Sequence, residues 1–267
     1  MSTSMQALGV EEFVKARSST DESNIYMEWQ GSIYAFVPQE KQRKLFDIIG
    51  MNVSRCFRGN DNKWYLASRE LTFYLDPQTG QVLEQWENPW TQELVTVVHV
   101  TINPFQLVLA EEYPVFLSGK NVTFVIDIPL TYPNVLGNDP KFQDYSPQSL
   151  YQAGEFFQYT VPIEEITDTS KVTTDSFSGS WMRLGPWLPW MKMKDYSGNL
   201  VYNASIRKYR NFEELSPILQ QFVKSRLPVY KEAPSGFVEG KNETSWTYFR
   251  KHFDKYLQGA QFPLPEA

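Results

Sequence analysis

The sequence has few of the residues on which disulfide bonds and metal sites depend. Cys56 is the only cysteine among 267 residues, which excludes an internal disulfide and a cysteine-rich metal site. His99 and His252 are the only histidines, and two imidazoles argue against a histidine-rich zinc site. We therefore expect no metal ion in this protein.

The motifs that bind the common cofactors are absent as well. The sequence lacks a phosphate-cradling glycine loop, a nucleophile elbow and a dinucleotide fingerprint. These absences argue against cofactor-dependent enzymes and the common hydrolases, so we expect no cofactor. They leave acid–base chemistry, chemistry controlled by a pocket, or binding without catalysis.

The charge and hydropathy of the chain argue against two classes of partner. A net charge of −6 and a pI near 5.1 do not suit nucleic acid or an anionic membrane, since both attract a basic surface. No apolar run approaches the length of a membrane span, and the polar N-terminus lacks the apolar stretch of a signal peptide. We expect a soluble cytoplasmic protein, with a homodimer left open as its oligomeric state.

Aromatic residues, in contrast, are abundant. The chain contains 18 Phe, 15 Tyr and 8 Trp. Each ring buries a large area, and Tyr and Trp also carry a polar group that needs a partner. Such residues suit the lining of a ligand cavity, and they suit an ordinary β-rich core equally well.

The order of the predicted elements favours a mainly β fold. Runs of β-branched and aromatic residues predict strands over residues 27–37, 94–101, 121–130 and 155–161. Because no long helix separates these runs, they favour an antiparallel meander over a parallel sheet. The predicted class is α+β and mainly β: an antiparallel curved sheet or a lipocalin-like β-barrel with peripheral C-terminal helices.

The chain is predicted to form one domain preceded by an arm. Residues 1–24 are polar and predict a flexible N-terminal arm, and residues 25–267 predict a single domain. Helices are predicted over residues 10–16 within the arm, over 39–49 between Pro38 and Gly50, over 217–227 and over 245–257.

One local pattern is specific enough to predict a β-hairpin over residues 69–86. Residues 76–79, Asp-Pro-Gln-Thr, suit a type I turn, and Gly80 suits the left-handed position that follows it. If Asp76 pairs with Gln81, both faces of the hairpin mix polar and apolar side chains. Either both faces meet protein, or one of them lines a partly polar cavity.

Three candidate catalytic residues lie in or near this hairpin. His99 is placed in a predicted strand among valines, where an imidazole either exchanges protons near pH 7 or is merely hydrogen-bonded. Arg69 and Glu70 point to opposite faces, so at most one of them lines a given cavity. Arg69 would hold an anionic or carbonyl oxygen, whereas Glu70 and Glu87, opposite in the predicted register, would form a carboxylate pair with a raised pKa.

Arg183 is the fourth candidate, in the tryptophan-rich segment 181–193. A guanidinium can be held by cation–π contacts with indole rings while it binds an anion. Tyrosine hydroxyls can donate to a substrate oxygen, and indoles can form apolar walls. The candidate substrate-binding residues are Tyr34, Tyr74, Trp86, Trp90, Tyr132, Trp181 and Tyr202. Core packing is the alternative explanation for most of them.

The hairpin also carries a resemblance. Residues 68–91, SRELTFYLDPQTGQVLEQWENPWT, resemble a family of uncharacterised proteins of fungi and bacteria, grouped as a domain of unknown function. Residues 29–34 and 50–55 are similar too, and the resemblance covers most of the chain beyond residue 25. It implies a common architecture but assigns no catalytic residue. The C-terminal half suggests a fungal member and, by analogy alone, a role in secondary metabolism.

Together these features predict a cofactor-free isomerase or cyclase. It would enclose an apolar, oxygenated small molecule, such as a phenolic or polyketide intermediate, in an aromatic-lined barrel. His99 would move a proton, and Arg69 or Arg183 would stabilise an enolate or phenolate oxygen. The alternatives are a non-catalytic carrier of a hydrophobic small molecule and a structural protein whose aromatic surface docks on a partner.

Overall fold

The computed structural model describes residues 6–240 and 242–266. The strands are β1 (Gln6–Gly9), β2 (Ile25–Phe36), β3 (Arg43–Arg58), β4 (Trp64–Leu75), β5 (Gln85–Glu87), β6 (Leu94–Thr96), β7 (Val100–Val108), β8 (Glu112–Ser118), β9 (Asn121–Pro133), β10 (Leu150–Pro162), β11 (Ser178–Gly185) and β12 (Asn199–Tyr209). The helices are α1 (Val10–Arg17), α2 (Ile163–Thr167), α3 (Pro217–Arg226), α4 (Ser245–Lys251) and α5 (Phe253–Leu257).

One antiparallel sheet of ten strands curls into a half-barrel. Its order is β1-β8-β9-β10-β11-β12-β2-β3-β4-β7, and β5 pairs with β6 in a separate two-stranded ribbon. Most strands that follow one another in sequence are neighbours in the sheet, as in a meander. The predicted mainly β fold with a curved antiparallel sheet is confirmed.

Strands β12 and β2 join the two halves of this sheet. One meander contains β2 to β4 and the other contains β8 to β12. At the junction, residues 199–209 pair with residues 26–36 in a continuous antiparallel register. The two backbones approach so closely at Gly31 that a Cβ atom there would lie 2.1 Å from the carbonyl oxygen of Asn203. Glycine is therefore required at this position.

Both faces of the sheet meet protein. On the convex side, Leu71 and Phe73 of β4 belong to an apolar cluster with Leu219 of α3. On the concave side there are two further apolar clusters. One contains Phe46 and the other Cys56, which lie near opposite ends of β3. The expectation that both faces of the hairpin meet protein therefore holds for its first strand, β4.

The predicted N-terminal arm is folded wherever the structure describes it. Residues 1–5 lie outside the described residues, but residues 6–9 form β1, which pairs with β8. The helix predicted over residues 10–16 is confirmed as α1. A short helix with one apolar side needs only a complementary surface to become fixed, and the polar composition of the segment does not reveal that surface.

Non-local contacts hold α1 in place. Phe13 stacks on Tyr113 with ring centroids 3.7 Å apart. At the end of the helix, the Lys208 ammonium donates to the carbonyl oxygens of Lys15 and Ala16 over 3.1 and 3.0 Å. The last carbonyl groups of a helix lack partners within it, so these donors satisfy them, although burial lowers the pKa of Lys208 to about 7.

The helix predicted over residues 39–49 is wrong, because most of this segment belongs to β3. Its apolar residues do fall at helical spacing, but they face opposite sides of a strand that is covered on both. Phe46 belongs to a concave cluster and Ile49 to the convex one. Gly50 does not cap a helix; a Cβ atom there would lie 2.3 Å from Nε1 of Trp29, so glycine makes room for this indole.

The predicted turn is confirmed, but the second strand of the hairpin is not. The amide of Asp76 donates to the carbonyl of Gln81 over 2.8 Å, and Gly80 has a φ of +69°. After a single bridge between Leu75 and Val82 the chain leaves β4, and β5 pairs with β6 instead. The place beside β4 is taken by β7.

The other predicted elements occur with shifted ends. The strands predicted over 27–37, 121–130 and 155–161 correspond to β2, β9 and β10, and the helix over 217–227 corresponds to α3. Two elements are interrupted. The strand predicted over 94–101 divides into β6 and β7, separated by residues 97–99, and the helix over 245–257 divides into α4 and α5 at His252. Within the described ranges, no helix has both the length and the hydropathy needed to cross a lipid bilayer.

We expect Gly50→Ala to destabilise the protein by about 1–3 kcal/mol, the usual cost of overpacking a rigid core. The new Cβ atom would meet Nε1 of Trp29 and, at 2.6 Å, the backbone carbonyl of Leu71, which cannot rotate away. The free energy of unfolding in urea measures the effect. Gly236→Ala is the matched control, because a Cβ atom there meets nothing within 4 Å. Equal stability of the two variants would contradict the expected clash.

Candidate active site

A band of polar residues crosses the concave face between its two apolar clusters. Several side chains in and beside this band are only half-buried, although strands surround them. They are Trp29, Glu70, Glu155, Phe157 and Trp181. Each of these side chains keeps part of its surface uncovered on the concave face. We call this part of the concave face the concave cleft.

The strand register builds one side of the cleft around Arg183. Glu155 of β10 lies opposite Arg183 of β11, which lies opposite Tyr202 of β12. Nη2 of Arg183 donates to the hydroxyl of Tyr151 over 2.6 Å, and its Nε lies 3.4 Å from Oε1 of Glu155. The guanidinium carbon lies 4.9 Å from the centre of the Tyr202 ring. Gly185 leaves room for this arrangement, since a Cβ atom there would lie 2.6 Å from Nη1.

Arg183 keeps its charge although it is buried. Burial lowers its pKa, but interactions with Tyr151, Tyr202 and Glu155 outweigh that effect and raise the pKa. Its Nη1 atom is buried without a hydrogen-bond partner among the described residues. Burial raises the pKa of Glu155, while the charge of Arg183 opposes the rise. An arginine with an unused donor can hold an anionic or carbonyl oxygen.

The other side of the cleft is built around Glu70. Glu70 of β4 lies opposite Asn52 of β3, and Nδ2 of Asn52 donates to Oε1 of Glu70 over 3.1 Å. Arg17, the last residue of α1, donates through Nη2 to Oδ1 of Asn52 over 2.8 Å. Its Nη1 donates to the hydroxyl of Ser54 over 3.0 Å. Helix α1, which lies in the segment predicted as a flexible arm, thus brings a cation to the concave face.

The pKa of Glu70 is raised to about 7. Burial is the main cause, the charge of Glu155 adds to it, and Arg17 and Asn52 oppose it. Glu87, the predicted partner of Glu70, does not pair with it, because Glu87 is exposed in β5 opposite Leu94. The carboxylate that acts on Glu70 comes from β10, far away in sequence. A carboxyl group that titrates near neutral pH is suited to general acid–base chemistry.

His99 does not have the environment that its predicted role requires. It is 1% exposed, and Nδ1 accepts a hydrogen bond from the amide of Tyr74 over 3.2 Å. Its ring contacts those of Phe73 and Tyr74, with centroids 5.0 and 5.7 Å away. Burial lowers its pKa to about 3, so the imidazole remains neutral near pH 7. Proton exchange at His99 near neutral pH does not fit this structure.

Two other predicted site residues lie on the convex side. Arg69 projects away from the cleft, as the alternation with Glu70 requires; its Nε donates to Oδ1 of Asn103 over 2.9 Å, and its Nη1 donates to the carbonyl of Glu232. Tyr34 lies opposite Val201 at the convex surface of the junction. Neither residue lines the concave cleft, because side chains alternate along a strand and both of these positions face the convex side.

The predicted aromatic residues divide between the cleft and the core. Trp181 borders the cleft, edge-to-face with Trp29 at 6.0 Å between ring centroids. Tyr132 stacks on Tyr151 at 4.7 Å, beside the hydroxyl that accepts from Arg183. Together with Tyr202, these residues form the aromatic surroundings of the Arg183 side of the cleft.

Trp86 and Trp90 pack away from that side, whereas Tyr74 packs in the core with its hydroxyl beside Tyr202 and Arg183. The ring of Tyr74 lies 5.4 Å from Trp190 in the core, and Trp86 lies 6.0 Å from the same indole. Trp90 contacts Trp187 at 5.2 Å. Core packing, the alternative explanation in the sequence, accounts for these three rings.

Sequence reasoning missed Arg17, Asn52, Glu155 and Tyr151. Glu155 carried a usable signal, because it is an acidic residue in a predicted strand whose alternate positions are apolar or aromatic. Arg17 and Asn52 carried no such signal. Arg17 lies in the segment predicted as a flexible arm, and Asn52 lies just beyond the helix predicted over residues 39–49. Their importance arises from contacts between distant strands and α1.

The described residues contain no group of three or more His, Cys, Asp or Glu side chains arranged to hold a metal ion. Two surface depressions lie elsewhere, one bordered by Gln6 and Pro114 between β1 and β8, the other by Gln220 and Lys224 on α3. Neither contains the carboxyl and guanidinium groups of the concave cleft.

The fold and the cleft define a curled antiparallel half-barrel with a carboxyl group and an arginine on its concave face. Residues 22–253 match a family model described as "Protein of unknown function (DUF1838)", and the chain belongs to this family. The resemblance to an uncharacterised family is thereby confirmed.

Other comparisons add little. A search of curated proteins found no match. Among solved structures, the chain matches the crystal structure of Ail, the attachment invasion locus protein of Yersinia pestis, at 8% identity. That match covers 70% of this chain and 99% of the other, with a TM-score of 0.20. A likeness this weak supports no statement about fold or function.

The raised pKa of Glu70 predicts a pH-dependent gain in stability for Glu70→Gln. Folding favours the protonated carboxyl, so the wild-type protein loses stability as pH rises from 4.5, the ordinary pKa of a glutamate, to about 7, the pKa of folded Glu70. At about 1.4 kcal/mol for each pKa unit, the loss approaches about 3 kcal/mol above pH 7. Gln cannot ionise, so the variant should be more stable than wild type at pH 8 and similar to it at pH 4.5. Urea unfolding at both pH values measures this difference.

Glu87→Gln is the control for this measurement, because its carboxylate is exposed in the β5–β6 ribbon. It should follow the wild-type pH dependence. A stability difference between Glu70→Gln and wild type that is the same at pH 4.5 and pH 8 would show that Glu70 ionises as freely in the folded as in the unfolded chain.

Proposed function

We propose that this protein is a cofactor-free isomerase or cyclase that acts on an apolar, oxygenated small molecule in the concave cleft. The substrate class is a phenolic or polyketide-type secondary metabolite. One observation carries the proposal: Glu70, whose pKa is about 7, faces a cleft that also contains the Arg183–Glu155 pair. Buried Cys56, the only cysteine of the chain, suits a reducing compartment such as the cytoplasm.

Glu70 is the proton-transfer group of the proposal. A general base works best when its pKa lies near the operating pH, because it is then ionised often enough to accept a proton and basic enough to hold it. His99 was the sequence-based candidate for this role, but its pKa of about 3 leaves it a poor base. The role therefore passes to Glu70, which was also among the sequence-based candidates.

Arg183 is the group that binds the substrate oxygen. Tyr151 and Glu155 fix the guanidinium by contacts of 2.6 and 3.4 Å, so it need not reorganise during the reaction. Its buried Nη1 donor is unused by the described residues. The charge of the guanidinium would stabilise negative charge that develops on a carbonyl oxygen of the substrate.

The aromatic walls select an apolar substrate. Trp29, Phe157 and Trp181 each leave part of their surface uncovered beside these polar groups. Apolar and aromatic walls with a few polar groups are typical of small-molecule sites. A flat, oxygenated ring system would cover the indole faces and place an oxygen near the guanidinium.

The proposed isomerisation needs only a proton and the substrate's own electrons. The Glu70 carboxylate removes a proton from a carbon next to a carbonyl group. The electron pair of that C–H bond forms a carbon–carbon double bond, and the carbonyl electrons move to the oxygen that Arg183 stabilises. Where a second carbon–carbon double bond of the substrate adjoins this enolate, the protonated Glu70 returns the proton to the far carbon of the extended dienolate; the carbonyl group is restored and the double bond has moved. In a cyclase, the enolate carbon instead attacks a second carbonyl carbon of the same substrate; the new carbon–carbon bond forms as the π electrons of that carbonyl move to its oxygen, which takes the proton from Glu70.

This mechanism predicts that Glu70→Gln abolishes proton exchange. Purified protein would be incubated in D₂O at pH 7.5 with a small-molecule extract of the cells that produce it, and incorporation of deuterium would be followed by mass spectrometry. Loss of general acid–base catalysis typically lowers the rate by about 10²–10⁴-fold. We expect a loss of this size for Glu70→Gln, and activity close to wild type for the control Glu87→Gln.

The outcomes separate enzyme from carrier. Undiminished deuterium incorporation in Glu70→Gln would remove Glu70 from the mechanism. A compound that stays bound to wild-type protein without incorporating deuterium or changing mass would instead support the alternative function, a non-catalytic carrier of a hydrophobic small molecule.

A further inference from the structure

A chain of hydrogen bonds connects α1 to the carboxyl group of Glu70. Arg17 donates to Asn52 over 2.8 Å, and Asn52 donates to Glu70 over 3.1 Å. A second donor of Arg17 holds Ser54 of the same strand at 3.0 Å. The guanidinium thus bonds to Asn52 and Ser54, two residues of β3 that are consecutive on its concave face.

The chemistry of the partners fixes the direction of this chain. A guanidinium has donors and no acceptor, so Asn52 must turn its oxygen, Oδ1, toward Arg17. The amide nitrogen of Asn52, which has only donors, then faces Glu70 and requires an acceptor there. Oε1 of Glu70 accepts this bond best without a proton, because a hydroxyl oxygen is a weaker acceptor than a carbonyl or carboxylate oxygen. When Glu70 is protonated, the proton belongs on Oε2.

We propose that Arg17 and Asn52 are positioning residues that hold Oε1 of Glu70 and present Oε2, the proton-carrying oxygen, to the concave cleft. The proposal rests on the proposed function of Glu70. It adds that α1 belongs to the active site and that a single carboxyl oxygen of Glu70 exchanges protons with the substrate.

The position of Arg17 is itself fixed by the fold. Phe13 anchors α1 by stacking on Tyr113, and Lys208 holds the carbonyl oxygens of Lys15 and Ala16 immediately before Arg17. A long side chain that starts from an anchored backbone and bonds two partners loses most of its freedom. Arg17 can therefore hold Asn52 in one orientation.

Three titratable groups face Glu70 from the elements packed around it. Arg17 comes from α1, and Glu155 and Tyr159 come from β10. Of these, Arg17 favours the ionised form of Glu70 and Glu155 disfavours it. Removal of the Arg17 charge should thus raise the pKa of Glu70 beyond its wild-type value.

The test is a ¹³C NMR titration of the Glu70 carboxyl in the full chain, with its signal identified by its loss in Glu70→Gln. We expect Arg17→Met to shift the titration midpoint upward by about one pH unit, the lower range for loss of a nearby opposite charge. Asn52→Leu should shift it in the same direction, because it removes a donor to the ionised form. Arg17→Lys keeps the charge, so its midpoint should lie closer to that of wild type.

Arg58→Met is the matched control. Arg58 also connects β3 to α1, through an exposed ion pair with Glu11 at 3.0 Å, but it does not contact Asn52. Its loss should leave the Glu70 midpoint unchanged. The proposal is overturned if Arg17→Met and Asn52→Leu, folded by circular dichroism, both titrate like wild type. Should Arg17→Met not fold, Asn52→Leu alone decides.

Deuterium incorporation separates this proposal from the proposed function. If both hold, the pH at half-maximal exchange moves with the NMR midpoint in Arg17→Met. A shifted midpoint without exchange in any variant, wild type included, would sustain the positioning role and refute the enzyme. Exchange that requires Glu70 while the midpoint stays constant would sustain the enzyme and refute the positioning role.

Discussion

The pairing of β12 with β2 is the constraint on which the rest of the molecule depends. It joins two meanders that would otherwise be separate sheets, over residues 199–209 and 26–36. The close approach at Gly31 permits this pairing, since any side chain there would meet the neighbouring backbone. Once the junction forms, β10 and β11 curl round to face β3 and β4. The two sides of the concave cleft exist only because of that closure.

Closure also removes charged side chains from water, and the cleft residues offset this cost through hydrogen bonds and ion pairs. Charged groups removed from water are costly unless each meets a partner and hydrogen bonds. Arg183 meets Glu155 and Tyr151, while Arg17 meets Asn52 and Ser54. Each pair spans neighbouring strands or a strand and α1, so correct register is a condition for satisfying them. The polar band thereby favours a single alignment of the sheet.

Features that depend on neighbouring residues in the chain were predicted from the sequence, and contacts between residues distant in the chain were not. The turn at Gly80 follows from Asp, Pro and Gly preferences within five residues, so it was predicted correctly. The helix assigned to 39–49 failed because apolar residues on both faces of a covered strand imitate helical spacing. Glu70 was recognised as a candidate, but Glu155 was missed as its partner, because strands β4 and β10 meet only through the closure of the sheet. The outward position of Arg69 did follow from strand alternation.

The two carboxyl groups of the cleft have different environments, and this difference decides which of them is the more easily protonated. Glu155 lies 3.4 Å from the Arg183 guanidinium, a direct cation that favours its ionised form. Glu70 has a neutral amide as its hydrogen-bond partner and feels Arg17 only beyond it. Because two nearby carboxylates repel each other, the one without a direct cation takes the proton. Glu155 therefore pairs with Arg183, and its repulsion adds to burial, the main cause of the raised pKa of Glu70.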